Sequence, residues 1–420
     1  MTLWRVKLPV FEFHLGLSPD EAVCTIVPNS GDRLNWRLMT ISAKGVECGA
    51  WPSRTTNHSN FGVNMNERIL IIGAGAVGSY VGGYFARSGL EVILADPWPA
   101  HVEHVQAHGL RLEGMTAEEC FESKPRAMHF TDLQALSKEK PADIAFICVK
   151  SYDTPWAAAL AKTYLARDGF MVSLQNGINE DAIANVIGWN KTIGCIASKI
   201  VVELVEPGFV RRSVSKGGES YTVFRVGEPH GRVTPRVERI RDMLADIDSA
   251  KVTSNLWGER WSKLVQNAMG NGLSAASGMS NKEFTQNETT RRLSIRLAGE
   301  AVRAGLLQGL SLEKIAGLDP EVWVAAAQEL TSAANDPPTL DEMEARMLVQ
   351  AERMSDPARP SMGQDMIKGR RTEIEFLNGL VVQRAKELGM AAPANVGLIA
   401  AVQKVERGDA PADLARVQDS

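Results

Sequence analysis

A lysine and two asparagines, Lys263, Asn267 and Asn271, recur at four-residue spacing in a run that also carries Trp257, Trp261, Leu264, Val265 and Met269. In a helix this spacing sets the three polar groups along one face. An ammonium followed by two amides is expensive to enclose in apolar surroundings unless a polar group meets it, and a small keto acid would satisfy all three. The amides can hold a carbonyl and a carboxylate without adding charge, and the lysine can protonate the oxygen on which negative charge builds as a ketone is reduced. In a partly desolvated cleft such a lysine has its pKa lowered toward the working pH. Taken alone, the same stripe equally describes a polar edge facing water.

A second chemical signature precedes it. Residues 69–72 are apolar and run into Gly73-Ala74-Gly75-Ala76-Val77-Gly78, after which a helical pattern continues to Arg87. That is the strand-turn-helix setting in which G-x-G-x-x-G binds a dinucleotide. Gly73 permits the tight turn, Gly75 lets backbone N–H groups approach the pyrophosphate, and Gly78 lets the helix close onto the strand. The next strand ends Ile93-Leu94-Ala95-Asp96. An acidic side chain there accepts hydrogen bonds from the adenosine ribose and repels a 2′-phosphate, which favours NADH over NADPH. The competing reading of Asp96 is a solvated turn residue before Pro97.

Placing these groups requires two kinds of scaffold. Short apolar strands at 68–72, 91–95, 143–149 and 170–174 alternate with helical stretches, the pattern of parallel β-α-β units and hence of a doubly wound, Rossmann-type α/β sheet. Runs at 192–204 and 221–227 are expected to complete that sheet or extend its edge. From 255 to 405 the chain is nearly all helical in pattern, with breaks near 317–320, 336–338 and 356–360. The expected organisation is therefore an extension at 1–64, a dinucleotide-binding domain at 65–252 and an all-helical substrate and catalytic domain at 253–420. The extension holds three of the nine tryptophans and no sustained helical period, and Met65 stands where the functional fold is expected to begin. An alanine- and acid-rich stretch at 318–345 reads as an inserted helical hairpin able to cover the cleft or mediate association.

Composition narrows the classes. With 44% hydrophobic and 23% charged residues in 420, the chain is core-forming rather than disordered. A net charge of −4 gives no basic field for nucleic acid. No apolar run approaches the ~18–20 residues needed to cross a bilayer, and no basic start leads into a continuous apolar stretch, so no membrane partner and a cytoplasmic location are expected. Cys24, Cys48, Cys120, Cys148 and Cys195 form no C-x-x-C pair, which fits free thiols.

A further cluster joins the pieces. Pro360-Ser361-Met362-Gly363-Gln364-Asp365 leads to Gly369-Arg370-Arg371-Thr372-Glu373-Ile374-Glu375-Phe376-Leu377-Asn378-Gly379. Taken in order with the glycine turn, Cys148-Val149-Lys150, Leu174-Gln175-Asn176-Gly177 and the Lys263/Asn267/Asn271 helix, this run resembles the ketopantoate reductase (2-dehydropantoate 2-reductase) family over roughly residues 68–397. The resemblance implies an NAD(P)H-dependent oxidoreductase that reduces a 2-keto acid to a 2-hydroxy acid, 2-dehydropantoate to pantoate, in pantothenate biosynthesis. It implies Lys263 as general acid, Asn267, Asn271 and Asn281 as substrate-binding amides, and Ser361 as a holder of the substrate carboxylate. Asn176 would lie between cofactor ribose and substrate, Glu373 near the nicotinamide with a catalytic role, and Lys150 against the cofactor. Family habit is NADPH, received by an arginine at the second strand end, whereas this chain has Asp96-Pro97 there. Where the family has a proline-containing turn after the second amide, this chain has Gly272-Leu273-Ser274-Ala275-Ala276.

Two rival readings stand beside this one: a related dehydrogenase acting on another 2-keto or 2-hydroxy acid, and a non-catalytic, dinucleotide-responsive regulator. A homodimer is left open. His101, His104 and His108 suggest a metal, yet no cysteine or patterned carboxylate completes a site, so no metal is expected and the histidines are read as part of a partly exposed helix, near the adenosine end or in water. Cys148 is read as a small core residue.

Overall fold

The computed structural model describes residues 67–331, 338–354 and 359–417, and the backbone of three short strands before them. Those strands, Cys24–Thr25, Met39–Ser42 and Gly45–Val46, pair antiparallel within a separate unit. The rest of the expected extension at 1–64, and with it the role proposed for it, lies outside the described residues. So do most of the breaks expected near 336–338 and 356–360.

Strands β1 (Arg68–Ile72), β2 (Glu91–Asp96), β3 (Arg126–His129), β4 (Ala142–Ile147), β5 (Leu165–Ser173), β6 (Thr192–Ala197), β7 (Phe224–Gly227) and β8 (Ala250–Val252) form one sheet in the order β8-β7-β6-β5-β4-β1-β2-β3. From β3 to β6 every neighbouring pair is parallel, β7 runs antiparallel to β6, and β8 is parallel to β7. Every residue of β1 is buried, as a central strand covered on both faces must be. Ile69 and Ile71 pack with Val81 and Phe85 of α1 (Ala76–Arg87), while Leu70 and Ile72 pack with Ala157, Ala158 and Ala161 of α3 (Thr154–Tyr164). The alternation follows the two-residue period of a strand. Between these helices lies α2 (Pro99–His108).

The runs expected at 192–204 and 221–227 do complete the large sheet, through β6 and β7, but 192–204 only with its first half. Lys199 adopts φ 54° and turns the chain away after β6, and Val202–Glu206 joins a second sheet with Phe209–Arg212, Leu110–Glu113 and Phe121–Ser123. A fully buried ion pair, Arg212 Nη2 to Asp248 Oδ2 at 2.6 Å, ties this small sheet to the large one.

The remaining chain is helical: α4 (Glu180–Ile187) and α5 (Pro235–Ala245) belong to the sheet half, followed by α6 (Leu256–Ala268), α7 (Asn271–Ser277), α8 (Asn281–Gln286), α9 (Glu288–Leu307), α10 (Pro320–Glu329), α11 (Pro338–Glu352), α12 (Ser361–Ile367), α13 (Asn378–Glu387) and α14 (Pro393–Glu406). The described parts of the stretch at 318–345, within α10 and α11, belong to this core. Trp323 of α10 is fully buried and donates Nε1–H to the Ile315 carbonyl at 3.1 Å, and Met343 and Met347 of α11 join the same apolar cluster. Among the described residues no helix is long and apolar enough to cross a membrane.

Candidate active site

The glycine turn is shaped by close contacts on two sides and open space on the third. Gly73 has φ +96°, and a Cβ added to it would stand 2.8 Å from Val149 N; one on Gly78 would stand 2.0 Å from the Gly73 carbonyl oxygen. A Cβ on Gly75 would meet nothing within 4 Å. Beside that open space, α1 begins with no side-chain cap and no acidic residue in its first turn, so its N–H groups and positive dipole end are free for a phosphate. The residues present therefore fit a dinucleotide. Asp96 ends β2, and its Oδ1 accepts the Trp98 N–H at 2.9 Å. Burial raises its carboxyl above the usual range, against the Trp98 and Ala74 backbone N–H groups and the Arg370 charge.

Helix α2 is partly exposed, as expected, and on its buried side lies His101. It is buried between Ser79 Oγ at 3.2 Å and the Gly208 N–H, which donates to Nδ1 at 3.0 Å, and burial drops its pKa to about 4. Of the three histidines on that helix, only His104 and His108 face water. Among the described residues no group of three or more His, Cys, Asp or Glu is placed to hold a metal.

At the end of β4, Lys150 reaches into the helical half. Its Nζ lies 2.5 Å from Asp365 Oδ2 and 3.3 Å from Glu373 Oε2. Glu373 is fixed from its other oxygen, where the Ser151 N–H and Oγ both donate to Oε1 at 2.9 Å. Burial lowers the pKa of Lys150, but the Glu373 and Asp365 charges outweigh it and hold the ammonium above its ordinary value. Ser151 Oγ also lies 3.3 Å from the Asn176 carbonyl oxygen, to which Asn179 Nδ2 donates at 2.7 Å. Lys150, Asn176 and Glu373 are thus joined in one network, with Asp365 and Ser151 as members that the sequence reading left without a role.

Across from this network α6 carries two cations one turn apart. Arg260 is 1% exposed and makes five hydrogen bonds into the sheet half: two to Glu180 Oε1, two to Ser173 O and Oγ, and one to the Gln175 carbonyl, next in sequence to Asn176. This anchors α6 against the β5 end. Lys263 is half-buried and has no hydrogen bond or ion pair among the described residues. Burial, with the charges of Arg225 and Arg260, lowers its pKa to about 8. One turn on, Asn267 is 6% exposed and its Nδ2 has no partner among the described residues. An unmade donor in such a place is costly unless a ligand meets it.

The stripe is not one continuous helix. α6 stops at Ala268, Gly270 has a non-helical backbone, and Asn271 opens α7. Glycine lacks the side chain that would favour helix continuation, and a Cβ there would lie 3.2 Å from the Phe284 ring. Asn271 still turns toward the cluster, with Nδ2 3.4 Å from Ser361 Oγ at the start of α12, one turn ahead of Asp365. Asn281 is not joined to these residues by any described contact; it opens α8 after the Ser280 capping box.

Sequence comparison decides the family. The profile of ketopantoate reductase PanE/ApbA matches residues 69–221 and that of the ketopantoate reductase PanE/ApbA C terminal matches 255–406. The chain belongs to the ketopantoate reductase family. It is an NAD(P)-dependent oxidoreductase of that family. The 2-dehydropantoate 2-reductase of Archaeoglobus fulgidus is 29% identical over 351 residues, 81% of this chain and 99% of that one. A crystal structure of a PanE/ApbA family ketopantoate reductase from Ralstonia eutropha JMP134 is 28% identical with a TM-score of 0.64, covering 81% of this chain and 99% of that one. A D-mandelate dehydrogenase solved with NADH and anilino(oxo)acetate shares the fold, at 22% identity and a TM-score of 0.65 over 81% of this chain and 98% of that one. Arg260 was detectable from sequence as a second cation three residues before Lys263 in an apolar helix. Ser151 had no comparable signal.

Proposed function

We propose that this chain reduces a small 2-keto acid to the 2-hydroxy acid, with 2-dehydropantoate to pantoate as the first candidate. In this reading residues 65–252 bind the dinucleotide and 253–420 supply the substrate groups. The observation that carries it is Lys263: a half-buried ammonium with no partner among the described residues and a pKa lowered to about 8. Such a group is protonated at neutral pH yet gives up its proton far more readily than an ordinary lysine.

The reduced nicotinamide, when bound, supplies the hydride. The turn from Gly73 to Gly78 and the N-terminus of α1 hold the pyrophosphate, and Asp96 takes the ribose hydroxyls. Lys263 donates a proton to the keto oxygen as charge builds there, and the unpartnered Nδ2 of Asn267 steadies that oxygen or its neighbour. Asn271 and Ser361 receive the substrate carboxylate, Asn281 completes the pocket, and Asn176, Lys150 and Glu373 line its nicotinamide side. Asp96 supports NADH as the preferred cofactor, against the family habit of NADPH; the D-mandelate dehydrogenase of the same fold is bound to NADH. The relatives named 2-dehydropantoate 2-reductase support the substrate. The second reading, another 2-keto acid, is favoured by Asn281, which the described contacts leave apart from the Asn271–Ser361 pair.

The test is a panel of 2-keto acids including 2-dehydropantoate, assayed with NADH and NADPH. The expected result is turnover highest with 2-dehydropantoate and NADH. A strong NADPH preference overturns the role given to Asp96, preferential turnover of another acid overturns the substrate, and binding without turnover of any acid favours a regulator.

A further inference from the structure

Lys263 has an acidic neighbour at the spacing that ordinarily makes an ion pair. Glu259 lies four residues earlier on α6, and Glu preceding Lys at i, i+4 is the favourable order on a helix. The pair is not made. Glu259 is 6% exposed, and its carboxylate is engaged from the sheet edge instead. Arg225 Nε of β7 forms an ion pair with Oε2 at 2.7 Å, without the alignment of a hydrogen bond, Lys251 Nζ of β8 lies 3.5 Å from Oε1, and Thr253 Oγ1 donates to Oε1 at 2.8 Å.

Among the described residues, the other elements packed on α6 offer Lys263 no counter-ion either. Glu180 of α4 is taken by Arg260, and Glu300 of α9 accepts the Ala394 and Asn395 N–H groups. Cys195 of β6 is a buried thiol held neutral, its pKa pushed up to about 12. The charges that act on Lys263 are those of Arg225 and Arg260, both positive.

We propose that Arg225 is a positioning residue: by holding Glu259 at the sheet edge with Lys251 and Thr253, it denies Lys263 a counter-ion and leaves the ammonium free for the keto acid. This rests on the reading of Lys263 as proton donor. An ammonium paired with Glu259 would be a weaker acid and would be drawn back along α6, away from the Asn267 amide. Losing Arg225 removes a positive charge near Lys263 and releases a negative one, and both changes restore an ordinary lysine pKa.

The experiment is the pH dependence of kcat/KM for 2-keto acid reduction with NADH, using the best acid of the panel, for the parent, Arg225→Gln, Arg225→Lys, Arg225→Gln/Glu259→Gln and Lys263→Ala. The parent should lose activity above about pH 8, where Lys263 gives up its proton. In Arg225→Gln that alkaline limb should move up by roughly one to two pH units, with kcat at neutral pH down about tenfold. Neutralising both partners should return the limb toward the parent position, and Arg225→Lys should keep it there. Should Arg225→Gln fail to fold, Lys251→Met/Thr253→Val loosens the same carboxylate and should move the limb the same way by less. An unmoved limb in a folded Arg225→Gln, or no return in the double variant, overturns the role of Arg225. Full activity in Lys263→Ala instead overturns the underlying reading.

Discussion

The glycine turn and helix α6 present opposite ways of building a candidate site. At the turn, function follows from side chains that are missing: backbone crowds the Cβ positions of Gly73 and Gly78, and Gly75 looks into open space. On α6, function follows from which side chains are paired. Arg260 is enclosed with five hydrogen bonds and serves as an anchor, whereas Lys263, one turn on, is enclosed with none among the described residues. The same positive charge becomes structural or reactive according to its partners. A backbone-defined site is local in sequence; a partner-defined site depends on Glu180, Arg225 and Ser361, all distant from it in the chain.

That contrast can be broken at several points. The largest expected effect is on rate: Lys263→Ala should lower kcat by ~10²–10⁴ while leaving the NADH dissociation constant unchanged by fluorescence titration. Next is the anchor. Arg260→Met leaves the Glu180 carboxylate, 0% exposed, without its cation, and removing one partner of a buried pair costs about 3–5 kcal/mol. Denaturant unfolding should show that loss; an unchanged midpoint would make Arg260 dispensable. At the turn, two small substitutions should part company. Gly78→Ala should lower both Tm and NADH affinity because its Cβ meets backbone, whereas Gly75→Ala should weaken NADH binding with Tm nearly unchanged. Equal effects on Tm would remove the distinction drawn between those glycines.

The smallest effect concerns stability. Because the folded pKa of Lys263 is lowered, its protonated form is penalised at all pH values below about 8. The penalty fades as pH rises from there to the unfolded value near 10.5, since only the unfolded chain still binds the proton in that window. Lys263→Met should therefore be more stable than the parent at pH 7, by about 1 kcal/mol, with the advantage shrinking above pH 8 when melting is followed across pH. A less stable variant at pH 7 would mean that the lysine is compensated in the native state.

Much of the fold was legible because it is written in short-range pattern. Buried strands 68–72 and 91–96 show as apolar runs, and the turn between strand and helix shows as glycines at fixed spacing. The run at 192–204 was legible in its first half, which is a strand of the large sheet, but not in its second, because Lys199 takes a left-handed backbone that no apolar pattern announces. Trp323 is hidden in composition: an alanine- and acid-rich stretch looks like an appendage until α10 is seen to seal the core beside α9. In the candidate site, the face shared by Lys263 and Asn267 was legible from helical spacing, but the break at Gly270 was not, since a glycine is tolerated within helices as well as between them. The pairing of Lys150 with Asp365, 215 residues away in sequence, is tertiary and has no local signature. The same holds for the engagement of Glu259 by Arg225 and for the burial of His101.

The most direct measurement is a crystal structure of the enzyme with oxidised cofactor and an unreacted 2-keto acid. Lys263 Nζ should lie within about 2.6–3.2 Å of the keto oxygen, with the substrate carboxylate against Ser361 and Asn271. A keto oxygen bound by Lys150 or by water alone, with Lys263 turned to Glu259, would contradict the assignment.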